Sequence, residues 1–466
     1  MSDATIVLIT LVVYKLVLLA VGLWASRRNH STSDYYIGGR ALGPWVAAVS
    51  ASASSSSAWT LLGVSGAAYL WGVSAIWLLP SVMLGFCFNW FWVAPRINKM
   101  GHQLNAITLT DLLISSNSAP LARTIRKAAT LIVVFCFTFY IAAQFKAAGT
   151  SFHAIFNLDL NSSIIIGAVV ILVYTLLGGF WAVSVTDTIQ GLLMAGAAIL
   201  LPIAALIEVG GVGDLISGLK QLPHPTFTQL TGEFVGISAI GFILGLFGIA
   251  SGYPGQPHVV NRLMALKDEA AIKQGRFIAL TWALLVYIGM LLLGWSARLL
   301  LPFLDNPETA FFEVTQNLFS PIFAGILIAA VLSAVMSTAD SQILVVSSSI
   351  SYDMNQRQSH SMVAARLAVL AVGIMATSLA ILLDDSIFNR VLFAWNAIGS
   401  AFAPLLIIRL MGKEITDKAT LGAMMAGFGL TVLINSYPNL PGDIGERWVP
   451  FLVAFTIAWL GIKKPS

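Results

Sequence analysis

The ten residues Gly248-Ile-Ala-Ser-Gly-Tyr-Pro-Gly-Gln-Pro257 lie across the end of an apolar run at about 235–256 and hold three glycines and two prolines. They cannot continue as one straight helix, because proline removes an amide donor and clashes with the preceding turn. Earlier, Ser50-Ala-Ser-Ala-Ser-Ser-Ser-Ser57 interrupts a second apolar run, with hydroxyls that compete for the helical ladder. At membrane depth, broken backbone is tolerated only where protein or a water-filled cavity satisfies it. A kink accounts for either interruption alone. Two at matching places in two halves point to the binding site of a transporter.

The surrounding chain sets that depth. It has 466 residues, of which 58% are hydrophobic and 10% charged, with a mean hydropathy of +0.85. That composition belongs to a polytopic membrane protein. Apolar runs long enough to span fall at about 5–26, 45–70, 74–95, 127–148, 162–179, 182–207, 235–256, 277–302, 321–349, 363–383, 391–411, 418–436 and 447–462. About thirteen transmembrane helices are therefore expected, all-α. The interrupted ones are the second and seventh, five helices apart. This spacing predicts two inverted five-helix repeats, about 45–207 and 235–411, with one helix before them and two after. The first run lacks a basic n-region and a small-residue cleavage site, so it reads as a retained helix. No soluble domain is expected at either end.

Basic residues orient the bundle. One alternate set of loops carries Arg27, Arg28, Arg40, Arg96, Lys99, Arg123, Arg126, Lys127, Arg262, Lys267, Lys273, Arg276, Arg357, Arg366, Arg409, Lys413, Lys418, Lys463 and Lys464. The other carries only Lys220, Arg298, Arg390 and Arg447, with Lys15 and Lys146 read as lying near helix ends. The expectation is an N-terminus outside and a C-terminus in the cytoplasm of a cell (plasma) membrane. The net charge of +4 says little about nucleic acid, because the basic residues are scattered among loops, and no nucleic-acid partner is expected. Cys87 and Cys136 have no disulfide or metal spacing, and the six histidines form no HExxH pattern. No catalytic nucleophile and no organic cofactor are expected, and the chain does not read as an enzyme.

Acidic residues at depth are rare. Asp340 lies inside Ala334-Val-Met-Ser-Thr-Ala-Asp-Ser-Gln342, where a helix puts Ser337, Asp340 and Ser341 on one face. A carboxylate at membrane depth costs at least ~2.5 kcal/mol, and hard oxygens gathered there suit a small hard cation. The hydroxyls alone would read as helix–helix glue. Asp187 is read as opening the sixth helix, Lys146 and Lys15 as snorkelling.

Four motifs carry a resemblance: Tyr36-Ile-Gly-Gly-Arg-Ala-Leu-Gly-Pro44, Gly178-Gly-Phe-Trp-Ala-Val-Ser-Val-Thr-Asp-Thr-Ile-Gln190, Gly255-Gln-Pro-His258 and Ala334-Val-Met-Ser-Thr338. They resemble the sodium:solute symporter family, most of all its bacterial sodium/proline symporters. The resemblance implies a leucine-transporter-type fold that imports a small solute with sodium as the coupling ion. It implies a sodium held by carbonyls of Ala53, Ser56 and Ala334 and hydroxyls of Ser337 and Thr338. Some relatives imply a second sodium, for which Asp187, Ser337, Asp340 and Ser341 stand at the matching places. One of the two carboxylates would then be protonated or paired with Lys146. Ser55, Ser57, Tyr140, Ile249, Tyr253 and Pro257 match positions lining the solute pocket. Ser55 and Ile249 replace an aspartate and a tryptophan of the proline symporters. Proline or a related amino acid is the expected solute, an organic carboxylate or vitamin the alternative. A channel, which needs a polar stripe this chain lacks, and a transporter-like sensor are the rivals from other classes.

Overall fold

The computed structural model describes residues 2–26, 36–114, 120–175, 179–354, 362–383, 385–437 and 440–463. Among the described residues, helices lie in each expected apolar run. Among the described residues the only bridge pairings outside helices are Leu42 with Leu266 and Ile415 with Ile462. The first half contains α1 (Asp3–Ser26), α2 (Pro44–Ala58), α3 (Ser65–Trp71), α4 (Leu78–Cys87), α5 (Ala94–Leu104), α6 (Ala122–Phe156), α7 (Leu160–Thr175) and α8 (Phe180–Val209). A short α9 (Val212–Gln221) leads to α10 (Ile237–Phe247), α11 (Pro257–Met264), α12 (Glu269–Leu300) and α13 (Ala310–Leu318). The chain continues through α14 (Pro321–Ser348), α15 (Met362–Leu382), α16 (Ile387–Leu410), α17 (Asp417–Asn435) and α18 (Ile444–Leu460). Arg27, Arg28, Gly178, Arg357 and Lys464, which entered the loop-charge and motif readings, lie outside the described residues.

Among the described residues, nine helical stretches are long and apolar enough to cross a membrane; one is the run Pro44–Leu104, which holds α2 to α5. Gly72 turns the chain within that run at φ 66°. A side chain there would strike the Phe227 ring at 2.7 Å, so glycine is required both for its backbone and for its contact. Several helices outrun their apolar segments. Where the sequence predicts 277–302, α12 begins at Glu269, because Asp268 caps it by accepting from the Ala271 amide at 2.7 Å. Hydropathy marks the hydrocarbon, whereas capping marks the helix.

At the centre stands α14, in which every residue from Leu327 to Ser348 is buried. It packs against α1, α2, α6 and α8. A helix apolar on all sides is a core helix in a large bundle, so its few polar residues have only protein to face. By contrast α1 turns Leu8, Ile9, Val12, Val13, Leu16 and Val17 outward.

Candidate ion and solute site

Both interruptions are breaks in the structure. In α2 the helix runs to Ser56, and Ser57 leaves it at φ 57°, ψ −173°. The chain resumes as a wide turn, Trp59–Val64, and then α3. The freed amides find side chains: Ala58 N–H donates to Gln144 Oε1 at 3.1 Å, and Trp59 N–H to Ser57 Oγ at 3.1 Å. The second break is spread out. A tight helical stretch, Gly248–Gly255, follows α10, then an extended Gln256 precedes Pro257 at the start of α11.

The end of α2 lies on the middle of α14. Thr338 Oγ1 donates to the Ser54 carbonyl at 3.0 Å, Ser54 Oγ donates to the Ser337 carbonyl at 3.0 Å, and Ser337 Oγ donates to the Ala334 carbonyl at 3.2 Å. The carbonyl of Ser56 accepts from Thr60 Oγ1 at 2.7 Å. Ala53, Ser56, Ala334, Ser337 and Thr338 are all fully buried at this contact. Ser54, which the sequence reading passed over, is the residue that ties the two helices. A cation of calcium-like radius holds oxygens at about 2.4 Å, which sets right-angle neighbours about 3.4 Å apart. Of the five expected donors, the Ala334 carbonyl and Ser337 Oγ stand 3.2 Å apart, near that separation.

Between the two breaks lies an aromatic and polar cluster. Tyr140 OH donates to Ser57 Oγ at 3.5 Å, Thr60 Oγ1 to Tyr287 OH at 3.0 Å, and the Tyr253 and Tyr287 side chains are hydrogen-bonded. The Trp59 ring lies 6.1 Å from that of Tyr287 and 5.5 Å from that of Phe388. Gln144 Nε2 and Gln256 Oε1 are buried with no hydrogen-bond partner among the described residues. Such atoms are costly in a dry interior and suit a polar ligand. Ser57, Tyr140 and Tyr253 lie together here, with Pro257 next to His258. Ser55 turns its hydroxyl to its own helix, on the Ser52 carbonyl at 3.0 Å. Ile249 contributes its carbonyl, which accepts from Trp395 Nε1 at 3.1 Å. Tyr287, Trp59, Gln144 and Trp395 were missed by the sequence reading, since single aromatics and amides in apolar helices carry no signal.

The carboxylates need corrections. Asp187 does not open its helix, because α8 starts at Phe180. Its Oδ2 accepts from Ser50, Ser54 and Ser341 hydroxyls at 3.1, 3.2 and 3.3 Å and from Arg262 Nη2 at 2.6 Å. Arg262 is no loop cation. It is buried on α11, and Nη2 also donates to Ser341 Oγ at 2.6 Å. Lys146 is not the partner of either carboxylate, since its Nζ donates to the Asp385 carbonyl at 2.9 Å and α6 continues to Phe156. Asp340 Oδ1 accepts from the Thr175 hydroxyl, while Asp187, Lys15 and Arg262 act on it electrostatically. Lys15 is mid-helix on α1, with Nζ against Met336 Sδ. A further buried network went unseen: Arg126 bridges Asp111 at 3.0 Å and Asp353 at 3.1 Å.

The model of the sodium:solute symporter family matches residues 35–427. The chain belongs to this family. It is 36% identical to the high-affinity proline transporter PutP of Bacillus subtilis, covering 92% of each chain. It is 35% identical to the sodium/proline symporter of Escherichia coli, covering 95% of this chain and 92% of that one. A solved Na+-coupled sialic acid symporter in a substrate-bound outward-open state superposes with a TM-score of 0.79 at 20% identity over 99% of both chains. MhsT in complex with L-phenylalanine superposes with a TM-score of 0.55 at 14% identity, over 90% of this chain and 98% of that one. These likenesses give the fold, of leucine-transporter type. The chain is a multi-pass membrane protein and a transporter rather than an enzyme, with sodium as the coupling ion.

Proposed function

We propose that this chain imports proline together with sodium by alternating access between its two broken helices. The observation that carries the reading is the buried clamp of Ser54 on Ser337 and Thr338, which joins the first break to the central helix. Sodium held by Ala53, Ser56, Ala334, Ser337 and Thr338 would tie α2 to α14 and stabilise the arrangement open to the outside. Proline then packs between Ser57, Tyr140, Tyr253 and Pro257, and rocking inward dissolves the ion site. A tenfold sodium gradient supplies about 1.4 kcal/mol per ion, and 100 mV adds about 2.3. One ion thus supports roughly five-hundredfold accumulation.

The relatives' names support proline. The repeats are assigned to about 45–207 and 235–411. In support, α8 packs on α2 as α16 packs on the Gly248–Gly255 break, fifth on first in each half. The N-terminus is placed outside and the C-terminus in the cytoplasm, on the asymmetry of lysine and arginine.

The test is uptake into proteoliposomes, with labelled proline set against a panel of other amino acids and carboxylates. Ser337→Ala with Thr338→Ala raises the apparent sodium constant well over tenfold. Sodium dependence unchanged in that double variant overturns the ion assignment. Uptake of a carboxylate in preference to proline overturns the solute.

A further inference from the structure

The strangest charge in the molecule is on its outermost helix. Lys15 sits in the middle of α1, about eleven residues from either end, or roughly 16 Å at 1.5 Å per residue. A four-carbon stem cannot carry an ammonium that far, so Lys15 does not snorkel to either interface. Leaving it in hydrocarbon costs about 2.5–3.5 kcal/mol on the most lenient scale. The helix is held so that the lysine faces the core. Thr10 lies against Gly325, Tyr14 OH bonds Ser333 Oγ, and Lys15 Nζ reaches Met336 Sδ, one turn before Asp340.

Asp340 has the complementary problem. It is fully buried, one oxygen is held by Thr175, and Oδ2 has no hydrogen-bond partner among the described residues. The charged groups acting on it are Asp187, Arg262 and Lys15. Arg262 is already committed to Asp187 and Ser341. With all four groups ionised, two carboxylates face two tethered cations and the cluster is neutral. A second sodium would then enter an already balanced site with a guanidinium between two of its ligands.

We propose that Lys15 is the built-in counter-cation of Asp340, so that the protein's own charge fills the second ion pocket and one sodium moves per solute. This rests on the sodium-coupled reading above. It makes Lys15 and Asp340 the residues that set the ion-to-solute ratio, with α1 as a part of the coupling machinery rather than a mere membrane anchor.

The test measures the ratio of labelled sodium to labelled proline flux in proteoliposomes made with the full chain, together with the sodium Hill slope. The wild type is expected to give one ion per solute. Lys15→Met leaves Asp340 uncompensated and is expected to raise the ratio to two and the Hill slope from about one towards two. Lys15→Arg keeps the ratio at one, and Lys15→Met with Asp340→Asn returns it to one. A wild-type ratio of two overturns the proposal, as does a transporting Lys15→Met variant with its ratio still at one. Should Lys15→Met fail to fold, Asp340→Asn alone decides. The unopposed lysine raises the apparent sodium constant at least tenfold, and an unchanged constant overturns the proposal. Uptake by the wild type with no sodium dependence sinks the underlying reading instead, and is distinct from all of these results.

Discussion

The two breaks solve one problem by different chemistry. The first turns on a single residue, Ser57, whose φ of 57° and ψ of −173° lie close to a region that is all but reserved for glycine. Holding a serine there costs on the order of 1–3 kcal/mol. The hydroxyl explains why it is not glycine, since it accepts from the Trp59 amide and from Tyr140 OH. The second break spreads its irregularity from Gly248 to Gln256 and uses glycine as spacing. Gly252 sits under the Trp395 indole and against Gly399, and Gly255 lies on the backbone of Gly399 and Ala403. One break is a ligand set that tolerates strain. The other is a bearing surface on α16 that tolerates no side chain.

The comparison breaks most visibly at Gly255. A β-carbon there would stand 2.8 Å from the Gly399 carbonyl oxygen and 2.9 Å from the Ala403 nitrogen, both backbone atoms that cannot swing away. Gly255→Val is expected to reduce proline uptake a hundredfold or more at normal membrane abundance, or to abolish assembly, as judged by size-exclusion chromatography of the purified protein. Wild-type uptake would mean that α16 and the second break are not in contact during transport. Ser57→Gly should do something subtler. It relieves the strained backbone and so raises the thermal midpoint in detergent. It also removes a hydroxyl worth about 0.5–1.5 kcal/mol, raising the solute constant by about two- to tenfold. A variant that is neither more stable nor weaker for solute would erase the distinction between the breaks.

The sequence was most legible where a feature stayed local. Apolar length located the helices, and Gly248–Pro257 and Ser50–Ser57 announced their own breaks. Asp340 stood out because nothing in its own run excuses a carboxylate. What stayed hidden depended on pairing across the fold. Arg262 reads as a loop cation because it follows a break. Only the packing of α11 beside α2 and α14 shows it reaching Asp187 on α8. Lys15 reads as a snorkelling end residue, whereas α1 from Asp3 to Ser26 puts it in mid-helix. Ser54 was passed over among six serines because its neighbours on α14 lie nearly three hundred positions away. Ser55 is a different case: a matched position puts it in the pocket, and its hydroxyl bonds the Ser52 carbonyl of its own helix.

The smallest expected effect lies at the far end of α16 from that bearing surface. Glu308, in the loop before α13, accepts from the Ile387 amide at 3.0 Å and the Phe388 amide at 2.9 Å, capping the first turn of α16. Burial holds its carboxyl above the ordinary glutamate range, against the two amides that favour the charged form. A carboxyl raised by folding contributes stability that is fully present below about pH 4.3, its unfolded value, and lost as pH rises through the higher native value. Wild-type protein in detergent should therefore show a component of thermal stability that falls over that interval. Glu308→Gln removes the titration and keeps only one good acceptor, so its curve should be flatter there. Its uptake should drop by no more than a few fold, because Ser386 still caps the same helix by accepting from the Asn389 amide at 3.1 Å. If both proteins lose stability along the same slope, Glu308 is not the titrating group. If uptake instead collapses as at Gly255, the α16 cap belongs to the transport cycle rather than to the scaffold, and the second break would be controlled from both ends of the helix it rests on.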